Sequence, residues 1–111
     1  MKRYLGKKKI LRIYIDNQDK FDNRPLWEEI LKKVKENGVA GATVFKGLAG
    51  IGAHSELRSF NIFTISQVMP LVIEIIDSEE KIVEFIDKID CMISEGIMTM
   101  CDTQVIKYKH K

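Results

Sequence analysis

"GATVFKGLAGIGAHSEL", residues 41 to 57, holds much of the chemistry this sequence can offer. Four glycines fall within twelve positions, directly after a β-branched stretch. Glycine loses much conformational freedom on folding, so such a cluster marks tight turns, bulges, or the close approach of another backbone or a ligand. A Walker-type loop needs GxxxxGK and then Ser or Thr before a helix, and a dinucleotide fingerprint needs GxGxxG between strand and helix. Neither is present. A polar loop and then a strand follow, so an anion there would be held by loop amides or by Lys and Arg side chains. His54, Ser55, Glu56 and Arg58 share the loop. Histidine titrates near neutrality, but no spacing gathers a nucleophile and an oriented base. His54, Glu56 and Arg58 are therefore read as contacts to a partner or a ligand, or as solvated loop residues. No catalytic residue is assigned, and the protein is expected not to be an enzyme.

Positive charge supplies the second candidate feature. Lys2, Arg3, Lys7, Lys8, Lys9 and Arg12 cluster at the start, and Lys107, Lys109, His110 and Lys111 at the end, whereas residues 74 to 95 are strongly acidic. If the two ends pair as neighbouring strands, their charge adds up in space and suits an anion. Solvated basic tails are the plainer account. A net charge of +2 does not argue for nucleic acid. Asp77, Glu79 and Glu80 stand at a helix start, where carboxylates offset the positive end of the dipole. Met98 and Met100 read as core or interface filler. Cys91 and Cys101 form no CxxC element and, with two histidines, supply no zinc ligand set, so both are read as free thiols and no metal site is expected.

Four strands and two helices must position these residues. "KKKILRIYID" alternates, with Leu11, Ile13 and Ile15 on one face and Ile10, Arg12 and Tyr14 on the other. "FDNRPLWEEILKKVKENG" carries helix signals: Asp22 or Asn23 as cap, Pro25 in the first turn, Gly38 as left-handed terminator, and Trp27, Ile30, Leu31 and Val34 as the buried stripe. "GATVFKG" is a second strand, "RSFNIFTISQV" a partly extended connection, and "MPLVIEIID" a third strand apolar on both faces apart from Glu74, which suits a central position. Pro70 is expected at its entry. "SEEKIVEFIDKIDCMISEG" is a second helix, capped by Ser78 and ended by Gly96, with Ile82, Phe85, Ile86, Ile89, Met92 and Ile93 as its stripe. "IMTMCDTQVIKYK" closes the pattern as a last strand.

The order βαββαβ predicts a ferredoxin-like α+β sandwich: a four-stranded antiparallel sheet with both helices on one face and the first and third strands central. The other face is left open, bearing Ile10, Tyr14, Val72 and Ile76. Covering a few hundred Å² of such surface, at about 25 cal/mol per Å², stabilises by several kcal/mol, so oligomerisation through that face is expected. The 111 residues fit one domain, residues 1 to 111, with 45% hydrophobic and 31% charged residues and no repeat. The basic start is followed by no long apolar segment, so a cytoplasmic location is expected.

The spans "IYIDNQDKFDNRPLWEEI", "GVAGATVFKGLAGIGAHSEL" and "MPLVIEIIDSEEKIVEFIDKIDCMISEGIMTMCDTQVIKY" together closely resemble the bacterial and archaeal domain of unknown function 190, described as PII-like. The resemblance runs from about residue 8 to residue 108, and its most specific part is the G-A-T-V-x-x-G-x-x-G-x-G-A run. It implies a ferredoxin-like subunit assembled as a trimer with its sheets facing the three-fold axis. It also implies an adenine nucleotide of the ATP, ADP or AMP class, bound between subunits at the base of the loop over residues 48 to 66, whose conformation controls a partner protein. No covalent cofactor is implied.

Carried over by position, Thr43 and Val44 match the strand beside the adenine, while Gly47, Gly50 and Gly52 belong to the glycine run, the last two at the loop base. Ile75 matches a third-strand position whose backbone contacts adenine. Lys107 and Lys109, in "VIKYK", are implied phosphate ligands from a neighbouring subunit. Where PII proteins carry a glycine, aspartate and lysine turn before the last strand, this chain has "SEGIMTMCD", with Gly96 and no lysine. Residues 53 to 67 contain no tyrosine, so control by uridylylation is not expected. The second reading is a non-enzymatic partner subunit of a membrane transporter or channel, of the fluoride-channel type, that binds no small molecule.

Overall fold

Hydrophobic alternation carries through to the sheet. The computed structural model describes residues 4–51, 57–59 and 68–109. Strand β1 (Gly6–Asp16) buries Leu11, Ile13 and Ile15, and β7 (Pro70–Asp77) buries Leu71, Ile73 and Ile75. β4 (Ala42–Lys46) lines the far edge and β8 (Ile97–Val105) the near one, giving the order β4-β7-β1-β8 with every pairing antiparallel. The two Ile-rich strands are the central pair, where apolar side chains are most completely covered. Each fully buried Ile or Leu contributes roughly 1.5–3 kcal/mol.

Both helices cover the same face. α1 (Leu26–Glu36) buries Leu26, Ile30 and Val34, with Trp27 and Leu31 partly buried beside them. The stripe thus includes Leu26, one residue before the Trp27 at which the sequence reading begins it. α2 (Glu79–Ile89) buries Ile82, Phe85 and Ile89, and a 3-10 turn at Asp90–Met92 adds Met92. Lys81 N–H donates to Ser78 Oγ over 3.3 Å, the expected cap. α1 ends in a Schellman motif: Gly38 has φ +63°, its N–H donates to Lys35 O, and Val39 N–H donates to Val34 O.

The start of α1 differs from expectation. Asp22 and Asn23 do not cap it. Both have positive φ, 53° and 63°, and form the two-residue turn between β2 (Lys20–Phe21) and β3 (Arg24–Pro25). Asp and Asn tolerate left-handed backbone, and tight hairpin turns demand it. Pro25 becomes the N-cap without a side-chain bond, and Leu26 N–H donates to Asp19 O over 2.8 Å instead.

The glycine run does not stay an open loop. Ala49–Ile51 (β5) pairs with Leu57–Ser59 (β6), placing Gly50 opposite Arg58. Gly47 N–H donates to Pro70 O over 2.7 Å, and a Cβ on Gly47 would stand 2.7 Å from Pro70 Cγ. Gly50 approaches the same ring, at 3.2 Å. Two of the four glycines are thus explained by close packing on Pro70 at the entry to β7. The uncovered sheet face carries Ile10, Tyr14, Val72 and Ile76, as expected, together with Phe45, which is 50% exposed.

Candidate functional site

Strand register assembles a cleft at one end of the open face. Thr43 lies opposite Glu74, Glu74 opposite Arg12, and Ile76 opposite Ile10, so these side chains share a face by parity. β8 pairs with β1 as far as Val105 opposite Gly6, which carries the following residues back across the start of β1. The resulting cleft, about 420 Å³, is lined by Thr43, Glu74 and Ile76 from the strands and by Val105, Lys107 and Tyr108 from the chain end. Tyr4, Lys8 and the backbone stretch Ala40 to Ala42 complete it, with Asp77 at its edge.

Asp77 holds that backbone stretch in place. It is 6% exposed, and its two oxygens accept from Ala40 N (2.9 Å) and Ser78 N (2.7 Å). One carboxylate therefore ties the α1–β4 connection to the start of α2. Its role is structural, as for the acidic residues of the first helical turn. Glu74 is held by Arg12 Nε at 3.0 Å, and this bond raises the Arg12 pKa above its ordinary value. With both carboxylates engaged, Lys8 and Lys107 stand as the cations facing the hollow. The apolar surface of Ile76, Val105 and Ala42 lies beside them.

Such a cleft can take a flat apolar group and an attached anion. A second hollow, about 470 Å³, is lined by Lys7, Lys8, Lys9 and Asp102 among others. There Lys9 donates to Asp102, which raises the lysine pKa and lowers that of the aspartate. Among the described residues, no group of three His, Cys, Asp or Glu side chains could hold a metal ion. No described helix is long and apolar enough to cross a membrane.

Of the expected nucleotide residues, the structure brings Thr43 and Lys107 to the cleft. Lys107 reaches the cleft of its own chain, whereas the resemblance implied a neighbour's. The cause is the β1–β8 pairing, which leads the tail over β1. Val44 points into the core side, partly buried, and Ile75 is fully buried between β1 and β4, so neither lines the cleft. Gly47 and Gly50 lie at the opposite end of β4, against Pro70. Lys109 is exposed and outside the lining. Gly52, His54 and Glu56 lie outside the described residues, and for Arg58 only the β6 backbone is described.

Glu74, Ile76, Tyr4, Lys8 and Tyr108 are lining residues that the sequence reading did not assign to a site. Strand parity was the available signal for two of them. Once Thr43 is paired with Glu74, the side chains of Glu74 and Ile76, and not that of Ile75, must share its face. Tyr4 and Tyr108 had no local signal, because only the meeting of the chain ends brings them together.

The family model DUF190, described as Uncharacterized ACR, COG1993, matches residues 8–105. A UPF0166 protein of Aquifex aeolicus (strain VF5) is 40% identical over 100 residues, covering 90% of this chain and 94% of its own length. The UPF0166 protein MJ1524 of Methanocaldococcus jannaschii is 36% identical over 102 residues, covering 91% and 94%. Among solved structures, CPII from Thiomonas intermedia K12, a nitrogen regulatory PII-like protein bound to ADP, AMP and bicarbonate, aligns with a TM-score of 0.71 at 20% identity over 95% of this chain and 93% of that one. The PII-like signalling protein TTHA0516 from Thermus thermophilus aligns with a TM-score of 0.67 at 19% identity over 92% of each chain. Those two likenesses concern the fold, whereas the match over residues 8–105 settles the family: the chain belongs to DUF190, with a PII-like fold.

Proposed function

We propose that this protein is a non-enzymatic regulatory subunit that binds an adenine nucleotide of the ATP, ADP or AMP class in the cleft beside Thr43. Binding there orders the loop over residues 48 to 66, and the ordered loop controls docking to a partner protein. The observation that carries this reading is the meeting of Thr43 with Lys8 and Lys107 around one hollow. It joins an apolar bed for a base to two cations for phosphates. The ADP and AMP that accompany CPII support the same ligand class.

Micromolar affinity needs about 8 kcal/mol. Two charge-assisted phosphate contacts contribute roughly 1.5–3 kcal/mol each, and a buried base supplies the remainder. The cleft opens on the sheet face that also carries Tyr14, Val72 and Phe45. A trimer closed through that face would set three such clefts at its seams. Glycines at positions 47 and 50, packed on Pro70, join the sheet to the β5–β6 hairpin, so a ligand-driven shift of β7 would reach the loop through that contact.

Calorimetric titration with ATP, ADP, AMP and cyclic nucleotides tests the ligand. Binding by at least one, weakened about tenfold or more by Lys107→Ala, is the expected result. Absence of binding by all of them overturns the nucleotide reading and leaves a docking subunit, of the membrane transporter or channel kind, as the alternative. Light scattering at micromolar concentration tests the trimer.

A further inference from the structure

Tyr4 and Tyr108 come from opposite ends of the chain, yet their ring centroids lie 4.5 Å apart with planes inclined by 33°. The β1–β8 register brings them together, since Gly6 stands opposite Val105, and Gly6 with φ +88° bends the chain just before the strand. Both rings are half-buried and both line the cleft. Lys107, next to Tyr108 in sequence, lines the same hollow, as does Lys8. Stacked aromatic rings beside cations form a general platform for a nucleobase and its phosphates, because every base has a π-face and every phosphate a charge. We propose that Tyr108, backed by Tyr4, is the base-recognising residue of the cleft, stacking on the purine while Lys107 and Lys8 take the phosphates.

This inference rests on the nucleotide reading above and deepens it. A simpler role for the tyrosine pair would be to pin the chain end against β1. The two roles separate cleanly, because the same tail carries Lys107. A mere pin, once lost, weakens every phosphate ligand alike. A base platform, once lost, weakens only ligands that have a base.

The test compares ADP with inorganic pyrophosphate by calorimetry on the full chain, unaltered and as Tyr108→Leu and Tyr108→Phe. Tyr108→Leu is expected to weaken ADP about tenfold, within the range of one aromatic stack on a base, and to leave pyrophosphate unchanged. Tyr108→Phe, which keeps the ring, is expected to bind ADP as the unaltered protein does. A second readout uses Tyr108→Trp, whose added fluorescence should be quenched by ADP and not by pyrophosphate. Unchanged ADP affinity in Tyr108→Leu, an equal loss for both ligands, or no selective quenching overturns the proposal. If the unaltered protein binds ADP and Tyr108→Leu binds it equally well, this inference alone fails. If the unaltered protein binds no nucleotide, the functional reading fails with it.

Discussion

Gly96 closes the turn into β8, and a methyl group at that position has nowhere to go. Built on the backbone, its Cβ would lie 2.7 Å from the Tyr14 carbonyl oxygen and 3.2 Å from Ile15 Cγ2, at a φ of +153°. Tyr14 cannot retreat, because β1 is paired on both sides, with Val72 and with Ile97 opposite this residue. A side chain in that glycine region costs roughly 1–3 kcal/mol, and forcing an extra carbon into a closed space costs about as much again. Gly96→Ala is therefore expected to lose about 2–5 kcal/mol.

Two other glycines calibrate that figure. Gly38 has φ +63° but nothing within 4 Å of a Cβ, so Gly38→Ala should lose only the left-handed penalty of about 1–2 kcal/mol. Gly41 has open space and no positive φ, so Gly41→Ala should change stability by less than about 1 kcal/mol and in the stabilising direction. Urea unfolding followed by Trp27 fluorescence, at one fixed protein concentration because assembly shifts apparent stability, gives all three values. A Gly96→Ala loss no greater than that of Gly38→Ala would refute the close contact with Tyr14. The same result would reopen the turn before the last strand as a ligand site.

Asp77→Asn should lose roughly 2–3 kcal/mol in the same assay, because it removes a charged acceptor from two backbone donors and presents an amide N–H to one of them. A change within experimental error would show that the Ala40 stretch is held by other means. The Lys9–Asp102 pair sets a pH dependence. Asp102 has its pKa lowered by the Lys9 hydrogen bond, so its stabilisation is present above the ordinary aspartate value near 4 and is lost as pH falls through the lower folded value. Lys9 has its pKa raised, so its stabilisation is complete below about 10.4 and is lost as pH rises through the higher folded value. The stability difference between the unaltered protein and Asp102→Asn should thus be flat from about pH 5 to 9 and vanish at both extremes, and a slope inside that window would contradict the pairing. On the open face Val72 lies between Tyr14 and Phe45, so Val72→Glu should leave a folded monomer in light scattering. A trimer that survives this change would place the assembly surface elsewhere.

Local chemistry made much of the fold legible. Alternation marked β1 and β7 as strands, Ser78 and Gly38 marked helix ends, and the apolar third strand marked a centre, since each signal acts within a few residues. Legibility failed where distant partners decide. Asp22 and Asn23 suit a helix cap and a tight hairpin equally well, and the pairing of Lys20–Phe21 with Arg24–Pro25 chose the hairpin. The extended β5–β6 base of the glycine loop likewise depends on pairing across a gap in the chain.

For the candidate site, the sequence by itself determined the ingredients: a glycine run after a strand, a threonine on that strand, and lysines at both ends. Tertiary structure decided which of them meet. Register between β4 and β7 turned Glu74 and Ile76 toward Thr43 and left Ile75 in the core, while the β1–β8 pairing brought Tyr4, Lys8, Lys107 and Tyr108 to the same hollow. The physical reason is that a side chain's face follows from period-two geometry within its own strand, whereas its neighbours across the sheet follow from hydrogen-bond register between segments dozens of residues apart.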